Sequence, residues 1–207
     1  MTQTRAPPAA TDDWDIPDEA LLVLYANGDP GAARALSLRL VPRTFGYAAR
    51  LLGGDRAGAE DVMQEAMLRL WRIAPDWRTG EAKVSTWLYR VVTNLCTDRL
   101  RARHRRRAVA LDDAPEMSDG ASSAVSGLIA RQRLDALQAA LDTLPDRQRQ
   151  ALVLRHIEGW RNPDIAEVMD IGVEAVESLT ARGKRALAAA MSGQRALLGF
   201  DEEDDAP

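Results

Sequence analysis

The chain has 207 residues, of which 46% are hydrophobic and 28% charged, and a formal net charge of -4. That size and balance fit one large or two small globular domains, and the acidic total argues against a general nucleic-acid coat protein. The one cysteine, Cys96, excludes a disulfide framework and a cysteine-rich zinc site. No segment approaches the ~18 apolar residues of a membrane span. Met1 to Asp13 lacks the apolar centre of a secretory signal. A cytoplasmic protein without membrane insertion is therefore expected.

In chain order, residues 1–15 read as a flexible tail. A helix is expected from Pro17 to Ala26, with Asp15 or Asp18 near its start, and Gly28-Asp29-Pro30-Gly31 breaks it. The next helix runs from about Gly31 to Leu52, with Pro42 expected to kink or divide it. Gly53-Gly54 ends it, and Asp55 is a natural N-cap for a helix over 56–73. That helix should bury Ala59, Val62, Met63, Ala66, Leu70 and Trp71. After a loop over 75–83, apolar residues at 88, 91, 92, 95 and 100 predict an amphipathic helix over 85–107. Cys96 falls in its apolar pattern as a small core residue.

Residues 111–126 hold Asp112, Asp113, Glu116 and Asp119 and no basic residue, the composition of a flexible acidic linker. Helices follow over 125–142, 146–157, 162–169 and 173–191, with Pro145 at a first helical position and Asn162 as a cap. Residues 201–205 are all acidic, and disorder is expected over 201–207. No strand pattern appears. The fold class is all-α: a tail (1–15), a helical domain (16–109), a linker (110–126), a second helical domain (127–194) and an acidic tail (195–207).

Two patterns carry chemistry. The helix over 85–107 ends in six arginines between 99 and 107, a footprint for phosphate, and the aromatics Trp87 and Tyr89 near its start can stack on unpaired bases. A solvated run that complements the helix dipole is the plainer reading of the same arginines. Downstream, Pro163 to Met169, the turn Asp170-Ile171-Gly172 and a helix from Val173 make a helix-turn-helix pattern. Its second helix would enter a major groove, with Arg182, Lys184 and Arg185 within reach of phosphates. His104 and His156 stand far apart, and no nucleophile–base pair or metal cluster is evident. No catalytic residue, metal or cofactor is expected, and the chain does not read as an enzyme.

Three ordered motifs resemble the extracytoplasmic-function type of sigma factor in the sigma-70 family. The first is Ala59-Glu60-Asp61-Val62-Met63-Gln64-Glu65-Ala66-Met67-Leu68-Arg69-Leu70-Trp71. The second is Ser85-Thr86-Trp87-Leu88-Tyr89-Arg90 with Asn94-Leu95 and Asp98-Arg99-Leu100. The third is Leu144-Pro145-Asp146-Arg147-Gln148-Arg149, continuing into Glu158-Gly159 and Ile165-Ala166-Glu167-Val168-Met169. The resemblance spans roughly residues 18–107 and 128–191. It implies a non-catalytic initiation factor, such as those of stress responses, that gives core RNA polymerase its promoter specificity.

By that resemblance Asp61, Gln64, Glu65 and Leu68 dock on the polymerase clamp. Lys83, Ser85, Trp87, Arg90, Asn94, Asp98, Arg99, Arg101 and Arg103 meet the -10 element. Asn94 would read a base edge, and the loop from Arg78 to Ser85 with Trp87 would hold a flipped base. Trp87 reads equally well as a core anchor between helices. Glu174, Ala175, Glu177, Ser178, Arg182, Lys184 and Arg185 would face the -35 element. The linker would thread the polymerase cleft, and an anti-sigma protein packed between the two domains is an expected partner. By itself the chain should be a monomer.

The recognition helix departs from the family pattern. Asp170 stands where a glycine is common in the turn, and Glu177 and Leu179 flank Ser178 where many relatives carry Lys and Arg. Those glutamates motivate one alternative, a sigma-like decoy that binds an anti-sigma protein and no promoter. A stand-alone helix-turn-helix regulator is the other, and it leaves residues 55–107 unexplained.

Overall fold

The computed structural model describes residues 16–78, 80, 82–109 and 125–192. The expected N-terminal tail, nearly all of the acidic linker and the acidic C-terminal tail lie outside the described residues. Among the described residues the architecture is wholly helical: α1 (Asp18–Ala26), α2 (Pro30–Leu51), α3 (Arg56–Ile73), α4 (Val84–Val109), α5 (Val125–Asp142), α6 (Asp146–Leu152), α7 (Asn162–Met169) and α8 (Val173–Met191). A short 3-10 turn, Ala74–Asp76, follows α3, and a π-turn, Val153–Ile157, extends α6.

Asp29 opens α2 by accepting hydrogen bonds from the Gly31 and Ala32 amides, at 2.8 and 3.4 Å. Asp55 caps α3 as expected, accepting from the Gly58 amide at 2.8 Å. Pro42 does not divide α2, which runs unbroken for 22 residues. Its ring lies on the exposed side, and the carbonyl it leaves without a donor belongs to exposed Leu38, where water can serve it. The opposite side, with Leu36, Leu40, Thr44 and Tyr47, is buried and holds the helix together. Two caps differ from expectation. Pro145 is the N-cap of α6 rather than its first residue, and Arg161 precedes α7, so Asn162 is the first helical residue. Trp71 is half-buried, with its ring against Tyr25 at 4.6 Å.

The first half, α1–α4, buries Leu22, Leu36, Leu70, Leu88 and Val92 completely, with Cys96 among them. Tyr47 and Thr93 share a buried hydrogen bond of 2.9 Å that ties α2 to α4. In the second half α8 lies close on α6. A Cβ at Gly183 would stand 3.3 Å from the Gln148 carbonyl oxygen, so this crossing accepts only glycine without a shift.

The buried residues of the two halves join in one cluster. A helix ends with four carbonyls that have no partner inside it. At the end of α2, Ala48 and Ala49 are served by the amides of Leu52 and Gly54, each at 2.9 Å. Arg50 and Leu51 are served across the interface, by Gln138 Nε2 at 3.1 Å and Arg149 Nη1 at 3.1 Å. The buried Arg149 guanidinium also bonds Asp142 at 3.0 Å and Asp146 at 2.9 Å, and a cation is favoured at that negative helix end. Gln150 Nε2 donates to Thr97 Oγ1 at 3.0 Å.

A second set of contacts gathers on Tyr89. Its hydroxyl donates to Glu158 Oε2 at 2.6 Å, its ring lies 4.7 Å from that of Trp160, and Arg50 stands 3.8 Å from the same carboxylate. Burial first, and then the neighbouring carboxylate, push the Tyr89 hydroxyl above its usual range, so it remains a donor at neutral pH. Between Glu158 and Trp160 the chain turns at Gly159, whose φ of +75° is open to glycine with little strain.

Tyr89→Phe keeps the ring stack but leaves a nearly buried carboxylate with the more distant Arg50. The expected cost is about 1–3 kcal/mol in urea unfolding, and an unchanged midpoint contradicts the contact. Burial pushes the Cys96 thiol up from 9.0 to about 12, an effect Arg99 tempers. Stability from this proton is complete below the unfolded value and is lost as pH rises towards the folded one. Cys96→Ala should therefore flatten the decline in unfolding free energy between about pH 9 and 11 relative to the parent chain.

Candidate nucleic-acid interface

Helical spacing places Trp87, Arg90, Asn94, Asp98 and Arg101 on one stripe of α4, with Lys83 at its head. Arg90, Asn94, Asp98 and Arg101 are exposed, and Trp87 is half-buried. The Trp87 ring makes a T-shaped contact with Trp77 at 6.2 Å, so part of the indole serves packing, as the core-anchor reading requires. The remaining exposure leaves an aromatic surface beside Arg90. Ser85, Arg99 and Arg103 are not brought onto this stripe: Ser85 is half-buried around the helix, and Arg99 and Arg103 lie on other sides.

Several of these cations already hold carboxylates. Lys83 Nζ lies 3.5 Å from Asp164 of α7, and Arg90 Nη2 lies 3.1 Å from Asp170 in the turn before α8. Arg99 bonds Asp61 of α3 at 2.5 Å, and Arg101 stands 4.0 Å from Asp98. Arg103, Arg105 and Arg106 extend the basic end of α4 into solvent. The Asp164 carboxyl is held below its usual range, first by a hydrogen bond from Arg161 at 3.0 Å and also by the charge of Lys83, so it is an anion at neutral pH.

On α3, Asp61, Gln64, Glu65 and Leu68 form one outward stripe, while Val62, Met63, Ala66 and Leu70 face the core. Glu65 pairs with Arg69 at 2.8 Å within the helix, and Asp61 is engaged by Arg99. Leu68 keeps 48% of its surface exposed, large for a leucine beside a well-packed core.

The helix-turn-helix is formed by α7, the turn and α8. Asp170 takes the left-handed conformation, φ 54° and ψ 55°, at the end of α7. An aspartate tolerates this at modest cost, so the turn closes where a glycine is common, and Gly172 instead precedes α8 in an extended conformation. Val176 and Gly183 face inward, and Glu174, Ala175, Glu177, Ser178, Arg182, Lys184 and Arg185 all face solvent. Arg182 Nε turns back to the Ser178 carbonyl at 3.2 Å, and Glu177 receives a long bond of 3.4 Å from Asn162.

Sequence reasoning missed the residues that join the halves: Tyr89, Gln138, Gln150, Glu158, Trp160, Asp164 and Asp170. Arg149 carried a weak signal, a charged residue inside the motif at 144–149. Among the described residues no group of three or more His, Cys, Asp or Glu side chains could hold a metal ion. No helix there is long and apolar enough to cross a membrane.

Comparison with known proteins identifies the family. Residues 36–106 match the sigma-70 region 2 family and residues 134–187 match sigma-70 region 4. The chain is 33% identical over 171 residues to the ECF RNA polymerase sigma factor SigM of Mycobacterium tuberculosis, covering 83% of each chain. It is 28% identical over 181 residues to the ECF sigma-E factor of Escherichia coli, covering 83% of this chain and 93% of that one. The sigma factor RpoE of Bartonella quintana, solved in complex with the anti-sigma factor NepR, superposes with a TM-score of 0.62 at 18% identity, covering 77% of this chain and 96% of that one. CnrH, solved with the cytosolic domain of CnrY, also gives 0.62, at 23% identity and 85% and 97% coverage, and both likenesses concern the fold. The chain belongs to the sigma-70 family, as one of its ECF RNA polymerase sigma factors.

Proposed function

We propose that this chain binds core RNA polymerase in the cytoplasm through Asp61, Gln64, Glu65 and Leu68 and carries it to promoters. The family is non-enzymatic, and phosphodiester chemistry belongs to the polymerase. In this reading α4 engages the -10 element. Asn94 offers the paired donor and acceptor that a base edge needs, Trp87 a stacking face, and Lys83, Arg90 and Arg101 contacts to phosphate. Arg103, Arg105 and Arg106 add sequence-independent affinity for the duplex. The outward side of α8 takes the -35 element, and Arg182, Lys184 and Arg185 position it on the backbone.

The observation that carries the reading is the α4 stripe: an exposed amide side chain, a half-buried aromatic and exposed cations on one side of one helix, within the residues that match region 2. An anti-sigma protein is a proposed partner, as NepR is for RpoE. Because α4 and α7 already touch, such a protein would wrap the outside of the joined halves rather than fill a gap between them.

Run-off transcription with bacterial core polymerase tests this reading. Specific transcripts should appear only with the chain present, and Asn94→Ala should reduce them about tenfold or more while polymerase binding persists. Polymerase binding without transcripts from any genomic promoter would instead support the decoy, with Glu174 and Glu177 repelling phosphate. Leu68→Asp, at an exposed position, should leave the melting temperature within about 2 °C of the parent. It should weaken core polymerase binding about tenfold or more, and undiminished binding removes Leu68 from the docking surface.

A further inference from the structure

A helix leaves its first four amides without partners inside it. At α2 and α3 the acceptors come from the local turn, through Asp29 and Asp55. At α4 they do not. Its helical bonding opens with the Trp87 amide on the Lys83 carbonyl at 3.0 Å, so Lys83 holds the cap position, and a lysine side chain has no acceptor. The acceptor comes from 65 positions away: the Glu19 carboxylate, in the first turn of α1, takes the Val84 amide at 3.0 Å. Negative charge is favoured at such a helix start. Glu19 is itself held in place. Leu21 and Leu22 of α1 are buried, and Arg39 of α2 donates to the Ile16 carbonyl at 2.6 Å and to Asp18 at 3.0 Å. The first turn of α1 is thereby fixed to α2 while its carboxylate reaches across to α4.

We propose that Glu19 is a positioning residue for the -10 element: by capping α4 from α1 it fixes where that helix begins, and so where Lys83, Trp87 and Arg90 meet the opened strand. This rests on the sigma-factor reading of α4. Glu19 lies outside the residues that match region 2, and in this proposal it touches no DNA and acts through the Val84 amide. Lys83 stands one residue before that amide and Trp87 one turn after it. A helix start that slips by one residue turns its side chains by about 100°, which would move the aromatic and the cations off a common strand. Burial of the Val84 side chain anchors the same point from the core, so packing and the cap together set the register. A cap that served stability alone would show the same contact. The two roles differ in what its loss disturbs: all promoter contacts alike, or those at the head of α4.

The test uses holoenzyme formed from bacterial core polymerase with excess full-length chain. Its probe is a fluorescent fork DNA from a promoter that the parent chain transcribes, duplex through the -35 element and single-stranded at the -10 element. The same duplex without the single-stranded extension is the second probe. Glu19→Ala removes the acceptor, and Glu19→Gln keeps an oxygen for the Val84 amide. Glu19→Asp keeps the charge but draws the acceptor back by one methylene, and it carries the test if the alanine variant does not fold. Asp55→Ala removes the cap of α3 and controls for lost stability. Glu19→Ala should weaken fork binding about three- to tenfold and Glu19→Asp about twofold or more, with Glu19→Gln and Asp55→Ala each changing it less than about twofold. Binding to the plain duplex should stay within about twofold of the parent in every variant. Undiminished fork binding by Glu19→Ala, an equal loss in Glu19→Gln or Asp55→Ala, or an equal loss on the plain duplex overturns the positioning role. Run-off transcription by the parent chain keeps the two claims apart. Transcripts together with undiminished fork binding refute positioning by Glu19 and leave the sigma reading standing. Absence of transcripts from every promoter tested refutes the -10 assignment of α4, and positioning for that element with it.

Discussion

Two carbonyls at the end of α2, those of Arg50 and Leu51, take their hydrogen-bond donors from the other half of the chain. Leaving a buried backbone acceptor without a donor costs about 1–3 kcal/mol, so the end of α2 is completed by Gln138 and Arg149 rather than merely touched by them. Arg149 is 7% exposed and carries charge, which is tolerated because Asp142, Asp146 and the helix end neutralise it together. Everything else at the junction follows from this seat. With α5 and α6 fixed against α2, the π-turn brings Glu158 and Trp160 to Tyr89, and α7 comes to rest against the start of α4.

The functional surfaces divide according to that seat. The stripe of Asp61, Gln64, Glu65 and Leu68 points away from the junction, and so does the recognition side of α8. The head of α4 borders it, with Lys83 and Arg90 paired to acids of the second half yet still exposed. The surfaces proposed for polymerase and for duplex are thus free of the junction, while the side proposed for the opened strand borders it at Lys83 and Arg90. Parting the halves breaks buried hydrogen bonds at α2 and Tyr89, so contacts made elsewhere must offset that loss. Docking on polymerase is the obvious source, since its proposed surface is exposed in the joined state.

Elements were legible in the sequence because they depend on local chemistry. The apolar period of α3 and α4, the Asp55 cap and the turn at 170–172 each follow from residues within a few positions of one another. The sides proposed for polymerase and the -35 element were legible for the same reason: once the buried side is known, the outward side is fixed. Pro42 misled because its penalty depends on which side of the helix it occupies, and that depends on what packs against α2. The junction was illegible for a related reason. Tyr89 looked like a base-stacking aromatic and Glu158 like one residue of the third motif, and neither residue type reveals a partner 69 positions away. Arg90 and Lys83 were read as phosphate-binding cations, and only the three-dimensional arrangement shows that acids within the chain already engage them.

The π-turn at Val153–Ile157 gives the junction a constraint of a different kind. A π-turn holds one residue more than the α-helix would, which is seen in the Glu158 amide reaching back five residues to the Val153 carbonyl at 3.0 Å. One residue in an α-helix corresponds to about 100° of rotation and about 1.5 Å of rise. A single deletion between 153 and 157 would give a more regular helix and would swing Glu158 and Trp160 off Tyr89. What this segment preserves is therefore its length: the irregular turn sets the phase between the two halves, and a sequence that kept every side chain but repaired the helix would lose the junction.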